Sequence, residues 1–286
     1  MTGQFRTLIS VDDLARGLGT PQWCVVDCRH DLVNPAFGRD AYAEAHIPGA
    51  VFLSLDDDLS GPKTGTNGRH PLPDPAALAK RLGELGIGNH TQVIAYDDAG
   101  GMYAARLWWM LRWLGHDTVA VLDGGYRAWC DAGQPVSATL PAYSPAQFDF
   151  KTHAGLAADV TEIQRRLATG QPHLIDARSP DRFRGENESL DPVAGHIPGA
   201  WNRFFRDNLD EDGCFRPSDE LRADFAAIIG ELPPTAVIHQ CGSGVTACHN
   251  LLAMEHAGLV GSRLYPGSWS EWCADPSRPI ATDTGT

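Results

Sequence analysis

Two tandem α/β domains, each a mostly parallel sheet flanked by helices, are what this sequence predicts. Three observations lead there. The chain repeats itself: VVDCRHDLVNPAFGRDAYAEAHIPGA at 25–50 returns as LIDARSPDRFRGENESLDPVAGHIPGA at 174–200, with Asp27 matching Asp176, Arg29 matching Arg178 and HIPGA whole in both. Within each copy short apolar runs alternate with helical stretches, the pattern of parallel strands covered by helices. Between the copies, QPVSATLPAYSPAQFDFKT at 134–152 is rich in proline and small residues, as a linker would be. The first domain is therefore expected over 1–135 and the second over 154–286.

The elements follow in order. In the first copy VVDC reads as a buried strand, and QVIAY as a second one running through a loop into the helical stretch MYAARLWWMLRWLG. In the second copy LIDA and AVIHQ are the matching strands, and TACHNLLAMEHAG is a helix closed by glycine. After each helix comes a further repeat, LDGGYRAW at 122–129 and YPGSWSEW at 265–272. Laying VIAYD over VIHQC sets Asp97 where Cys241 stands, so the first copy keeps the scaffold without the thiol. That asymmetry favours one reactive centre.

Composition narrows the partners. With 43% apolar residues, 21% charged residues and a formal charge of −13, the chain is suited to compact cores and unsuited to nucleic acid or an anionic membrane surface. The N-terminal stretch lacks the long apolar run of a secretory signal, and no stretch approaches a bilayer-spanning length. Seven cysteines in 286 residues make no disulfide scaffold, so a reducing, cytoplasmic setting is expected. No separate interface stands out, and a monomer is expected.

The junction HQCGSGVTACHN, starting at His239, carries the chemistry. Gly242 and Gly244 around Ser243 allow successive amides to turn toward one point, and the helix starting near Thr246 aims its positive end at the same space. An anion is favoured there, including the thiolate of Cys241. No lysine or arginine is near in sequence, so backbone donors are expected to supply most of the stabilisation. A cysteine phosphatase would need an arginine where Ala247 stands, six residues on. A dithiol redox site would need a CxxC pair, whereas Cys248 lies seven residues away and reads as structural. Cys24 and Cys28 lack a second pair to complete a zinc site and read as core sulfurs, while Cys130, Cys214 and Cys273 carry no motif. A thiol ringed by amides, with no fixed base beside it, suits transfer of a neutral sulfur atom through a persulfide, which needs no metal or organic cofactor.

DCRH and DARS, both HIPGA copies, the strand–loop–helix around Cys241 and GSWSEW together make the sequence resemble the two-domain rhodanese-like sulfurtransferases, which include thiosulfate and 3-mercaptopyruvate sulfurtransferases. The resemblance covers nearly the whole chain and implies two rhodanese-like domains, only the second catalytic. It implies that Cys241 carries the sulfur, with Gly242, Gly244, Val245 and Thr246 of the loop facing the substrate. Because CGSGVTA looks like the mercaptopyruvate-type loop, it further implies a relay of Ser243, His70 and Asp56, and a carboxylate grip by Arg182. One departure stands out: relatives specialised for mercaptopyruvate often carry a second arginine nine residues after Arg182, where this chain has Asp191. Arg184, or an arginine on another loop, is the expected substitute. The implied reaction takes sulfur from a small-molecule donor to a thiol, a dithiol protein such as thioredoxin, or cyanide. Mercaptopyruvate leads as donor, thiosulfate is the alternative, and a catalytically quiet binding module is the non-enzymatic one. Arg178, like Arg29, reads as a structural ion pair, and His46 and His196 as supports of the fold. Trp269, Trp272 and the WWMLRW group at 108–113 read chiefly as packing.

Overall fold

A computed structural model describes residues 4–282, and they divide into two units. The first comprises the described residues up to Gly61, with Leu72–His153 and Glu211–Cys214. Its strands are β1 (Leu8–Ile9), β2 (Trp23–Asp27), β3 (Val51–Phe52), β4 (Gln92–Tyr96) and β5 (Val119–Leu122). They form one sheet in the order β1-β5-β4-β2-β3, and every pairing is parallel. Parallel neighbours need crossovers, which helices α1 (Val11–Gly17), α2 (Phe37–Glu44), α3 (Pro75–Glu84) and α4 (Ala104–Trp113) supply, and α5 (Gly125–Asp131) follows the last strand. The central strand β4 is buried throughout, as a continuous apolar run covered on both faces should be. Trp108 and Trp109 of α4 are buried, and Trp108 Nε1 donates to the Arg6 carbonyl, so the aromatic group packs within this unit.

The second unit comprises Pro62–Pro71, Ala154–Asp210 and the described residues from Phe215 on. Strands β6 (Leu174–Asp176), β7 (Trp201–Asn202), β8 (Ile238–Gln240) and β9 (Arg263–Leu264) again pair only in parallel, in the order β7-β6-β8-β9. Its helices are α6 (Val160–Ala168), α7 (Pro180–Phe183), α8 (Ser218–Ile229), α9 (Thr246–His256) and α10 (Ser268–Trp272). α6 starts where Asp159 caps the Glu162 amide at 2.8 Å. Trp269 and Trp272 lie in the core with Phe183, Ile197, Ile238 and Tyr265.

The repeated phrases build the same local structure twice. Asp27 and Asp176 close buried ion pairs with Arg29 and Arg178, both at 2.7 Å. Each guanidinium also donates to a carbonyl just before its HIPG segment, Ala45 or Gly195. His46 Nδ1 meets the Tyr42 carbonyl at 2.7 Å, and His196 Nδ1 the Phe183 carbonyl at 2.8 Å. Both histidines also form an antiparallel bridge to a later segment, at Ser137 and Ala281.

Two expectations need correction. The proline-rich stretch at 134–152 is no free linker. Tyr143 donates to the Gly49 carbonyl at 2.7 Å, the Ala146 amide to Gly83 at 2.9 Å and the Lys151 amide to Leu114 at 3.1 Å, and Phe148 is buried. Satisfied amides and a buried ring hold the strap on the first unit, which composition does not reveal. His70, expected in the first domain, sits on the segment Pro62–Pro71 and belongs to the second unit.

Candidate active site

β8 is an inner strand of the second sheet, and the chain leaving its C-terminal end forms the loop 241–245 before α9 begins at Thr246. Open α/β sheets present ligands at this edge, where strand ends and helix N-termini converge. The loop is tied down on one side by the first turn of α10. The Cys241 amide donates to Ser268 Oγ at 3.1 Å, and the carbonyls of Cys241 and Gly242 accept from the Trp269 and Ser270 amides, each at 2.9 Å. Ser268 takes φ of 54°, an uncommon left-handed value for a non-glycine residue.

The two loop glycines are needed for different reasons. Gly244 has φ of 75°, and a Cβ there would lie 2.4 Å from the Pro266 carbonyl oxygen. A Cβ at Gly242 would come within 2.7 Å of Arg69 Nη2 and 3.6 Å of Arg182 Nη2, so this glycine leaves room for two guanidinia. The Gly244 N–H donates to Cys241 Sγ at 3.2 Å, and Sγ lies at the N-terminal side of α9. Val245 precedes that helix and is buried, and Thr246 opens it.

Ser243 and His70 come together: Ser243 Oγ and His70 Nδ1 are 2.7 Å apart, and both residues are buried. The neighbouring Arg69 amide donates to Ser270 Oγ at 3.0 Å, which fixes the segment that carries the histidine. Asp56 lies in the first unit, where its carboxylate is 3.9 Å from His30 Nε2.

The fold adds arginine side chains to the backbone donors that were expected to supply most of the stabilisation, the expected Arg182 among them. Arg69 is ion-paired with Asp191, and Arg182 with Glu188 at 2.8 Å, with a second carboxylate, Asp191, at 3.6 Å. Arg178 is fully buried; burial opposes its charge, but Asp176, Glu188 and the Cys241 sulfur raise its pKa. None of these residues is within the loop's own sequence, and β-strand and loop packing bring them to it. Arg184, one candidate for the missing arginine, is instead bound to Glu186 at 2.7 Å on the exposed side of its turn. Arg69 is the guanidinium set over Gly242. Sequence reading missed it, although it stands directly before His70 in GRHPLP.

Four of the other cysteines, Cys24, Cys28, Cys248 and Cys273, are buried and poor nucleophiles by environment. Burial pushes the Cys24 thiol up to about 12 and raises Cys28 and Cys273 as well. Cys248 is buried in α9 and its Sγ donates to the Gly244 carbonyl at 3.3 Å. Among the described residues no three His, Cys, Asp or Glu side chains group as a metal site, and no helix is long and apolar enough to cross a membrane.

A buried cysteine held by a loop amide, at a helix N-terminus and among arginines, defines a class: cysteine-dependent transfer of a group carried with negative charge. Comparison with known proteins narrows it. The rhodanese-like domain model matches residues 10–132 and again 159–275. A probable 3-mercaptopyruvate sulfurtransferase of Pseudomonas aeruginosa is 48% identical over 96% of this chain and 98% of its own. A putative thiosulfate sulfurtransferase of Mycobacterium tuberculosis is 38% identical over 99% of this chain and 100% of its own. The solved 3-mercaptopyruvate sulfurtransferase of Leishmania major superposes with a TM-score of 0.83 at 32% identity, over 93% of this chain and 74% of that one. The chain belongs to the rhodanese-like family, and it is a rhodanese-type sulfurtransferase that moves sulfur through a persulfide.

Proposed function

We propose that the chain is a 3-mercaptopyruvate sulfurtransferase whose persulfide forms on Cys241. The observation that carries this reading is the 2.7 Å contact between Ser243 Oγ and His70 Nδ1. The Cys241 thiolate attacks the sulfur of 3-mercaptopyruvate, forming the S–S bond as the C–S bond breaks. The electron pair released onto carbon gives the enolate of pyruvate, which needs a proton. The Ser243 hydroxyl, backed by His70, supplies it and recovers one from the donor's S–H, which leaves the outer sulfur of the persulfide anionic. Thiosulfate gives up its outer sulfur with sulfite as the leaving group and asks for no carbon protonation, so a serine–histidine pair is of less use to it. Arg182 and Arg69 grip the donor carboxylate, the bidentate task for which guanidinium is suited. The Gly244 amide and the α9 N-terminus stabilise charge on sulfur in both half-reactions. A thiolate of a small thiol, a dithiol protein such as thioredoxin, or cyanide then attacks the outer sulfur and restores the Cys241 thiolate.

The test is kcat/KM for 3-mercaptopyruvate and thiosulfate side by side, with cyanide and a dithiol as acceptors and Cys241→Ser as the blank. Ser243→Ala should lower kcat with mercaptopyruvate by about 10- to 100-fold and leave thiosulfate within about threefold. Equal losses with both donors, or a wild-type preference for thiosulfate of about tenfold, would overturn the donor assignment.

A further inference from the structure

The guanidinia around the loop do not carry free positive charge. Three of them, Arg69, Arg178 and Arg182, are matched by three carboxylates, Asp176, Glu188 and Asp191, within the same cluster. The two partners differ in access. The side chains of Asp191 and Glu188 are each 2% exposed, whereas those of Arg69 and Arg182 are 28% and 20% exposed. The carboxylates therefore lie beneath, and the cations present their remaining donors upward toward the space that Gly242 leaves open.

Asp191 is the unusual member. One of its oxygens binds Arg69; the other is buried, makes no hydrogen bond among the described residues and faces Arg182 Nη2 at 3.6 Å. Burial raises its pKa against the pull of Arg69, so the charge is held there at a cost. Its amide is tied to Glu188 Oε1 at 3.1 Å, which anchors the residue from below.

We infer that Asp191 is a specificity-determining counter-charge: it orients Arg69 over the loop and cancels one positive charge there, so that the site favours a donor bearing one carboxylate over a compact dianion such as thiosulfate. The inference rests on the proposed function for the donor class and adds the reason for the preference. A guanidinium pinned by a buried carboxylate keeps its directional donors, which a planar carboxylate matches, while losing most of its long-range field. A dianion depends on that field twice as strongly as a monoanion does. Asp191 touches no reacting atom and acts through Arg69, as a positioning residue.

Asp191→Asn keeps the volume and an acceptor for Arg69 but releases one positive charge. One charge–charge interaction between partly exposed groups several ångströms apart is worth about a tenfold factor, so kcat/KM for thiosulfate should rise about tenfold relative to that for mercaptopyruvate. The shift should appear mainly in KM and shrink with added salt, and Asp191→Glu should stay within about threefold of the wild-type ratio. Parallel changes with both donors, as a purely structural role would produce, would overturn the inference. So would a ratio that moves toward mercaptopyruvate. A measurement on the unmodified enzyme guards against a variant that fails to fold: sulfate, a dianion, should inhibit no more tightly than pyruvate, and inhibition about tenfold tighter would contradict a neutralised rim. The donor assignment is read from the wild-type preference alone and the role of Asp191 from the variant-to-wild-type ratio, so each can fail without the other.

Discussion

The strands β4 and β8 end in the same way and lead to opposite outcomes. Past β4, the carboxylate of Asp97 fills its own loop: Oδ1 accepts from the Ala99 and Gly101 amides and Oδ2 from the Tyr103 and Ala104 amides, each at 2.8 Å. Past β8, Cys241 Sγ accepts from the Gly244 amide at 3.2 Å, and the loop enters its helix two residues sooner. A two-oxygen acceptor saturates a ring of donors, whereas one sulfur leaves the rest of the loop for a charged ligand. The difference teaches that one scaffold serves as an internally plugged anion cradle in one unit and as an open one in the other. The residue at the strand end decides which.

The first way to break this comparison is to remove the plug. Asp97→Ala leaves four amides of a buried loop without their acceptor, and the first unit should lose about 4 kcal/mol of stability. Denaturant unfolding, with amide exchange focused on 99–104, would measure it. A loss below about 1 kcal/mol would mean that Asp97 is only a passive neighbour.

The second way exploits the strands themselves. Where β4 has Ala95, β8 has His239, fully buried, its Nε2 3.1 Å from Met254 Sδ, and burial pushes its pKa from 6.5 to about 3. The folded protein keeps this ring neutral while the unfolded chain protonates it. The stability it permits is therefore complete above about pH 6.5 and is lost as pH falls toward about 3, by roughly 5 kcal/mol. His239→Ala, which copies the first unit, should flatten that acid limb in unfolding curves between pH 4 and 7. An unchanged slope would assign the limb to other groups.

The smallest effect sharpens the charge side of the comparison. Arg184 lies half-buried and paired with Glu186, away from the arginines that surround the Cys241 loop. Arg184→Ala should alter kcat/KM less than about twofold and stability by less than about 0.5 kcal/mol. A tenfold rise in KM for mercaptopyruvate would return it to the site.

Much of this was legible in the chain. The HIPGA repeat and the D-x-R phrase mark the duplicated units because each performs a local task, a bridge and a buried ion pair, within a short stretch of sequence. The Cys241 loop was equally readable, since glycines flanking Ser243 between an apolar strand and a helix leave few conformations open. The pairing of Ser243 with His70 entered through family resemblance rather than from any local pattern.

The amino-acid order alone specifies the periodic and the contiguous: parallel strands under helices, one thiol where the other copy has a carboxylate, a glycine loop at a helix start. The rest was settled by folding. It bound the proline-rich strap to the first unit, assigned His70 to the second, and set Arg69 and Asp191 together across 122 positions of chain. The physical reason is the range of the forces involved. Backbone periodicity and turn chemistry act over a few residues and leave a pattern in the text. Charges meet through space, so an arginine's partner is chosen by the fold, and the spacing along the chain carries no trace of it.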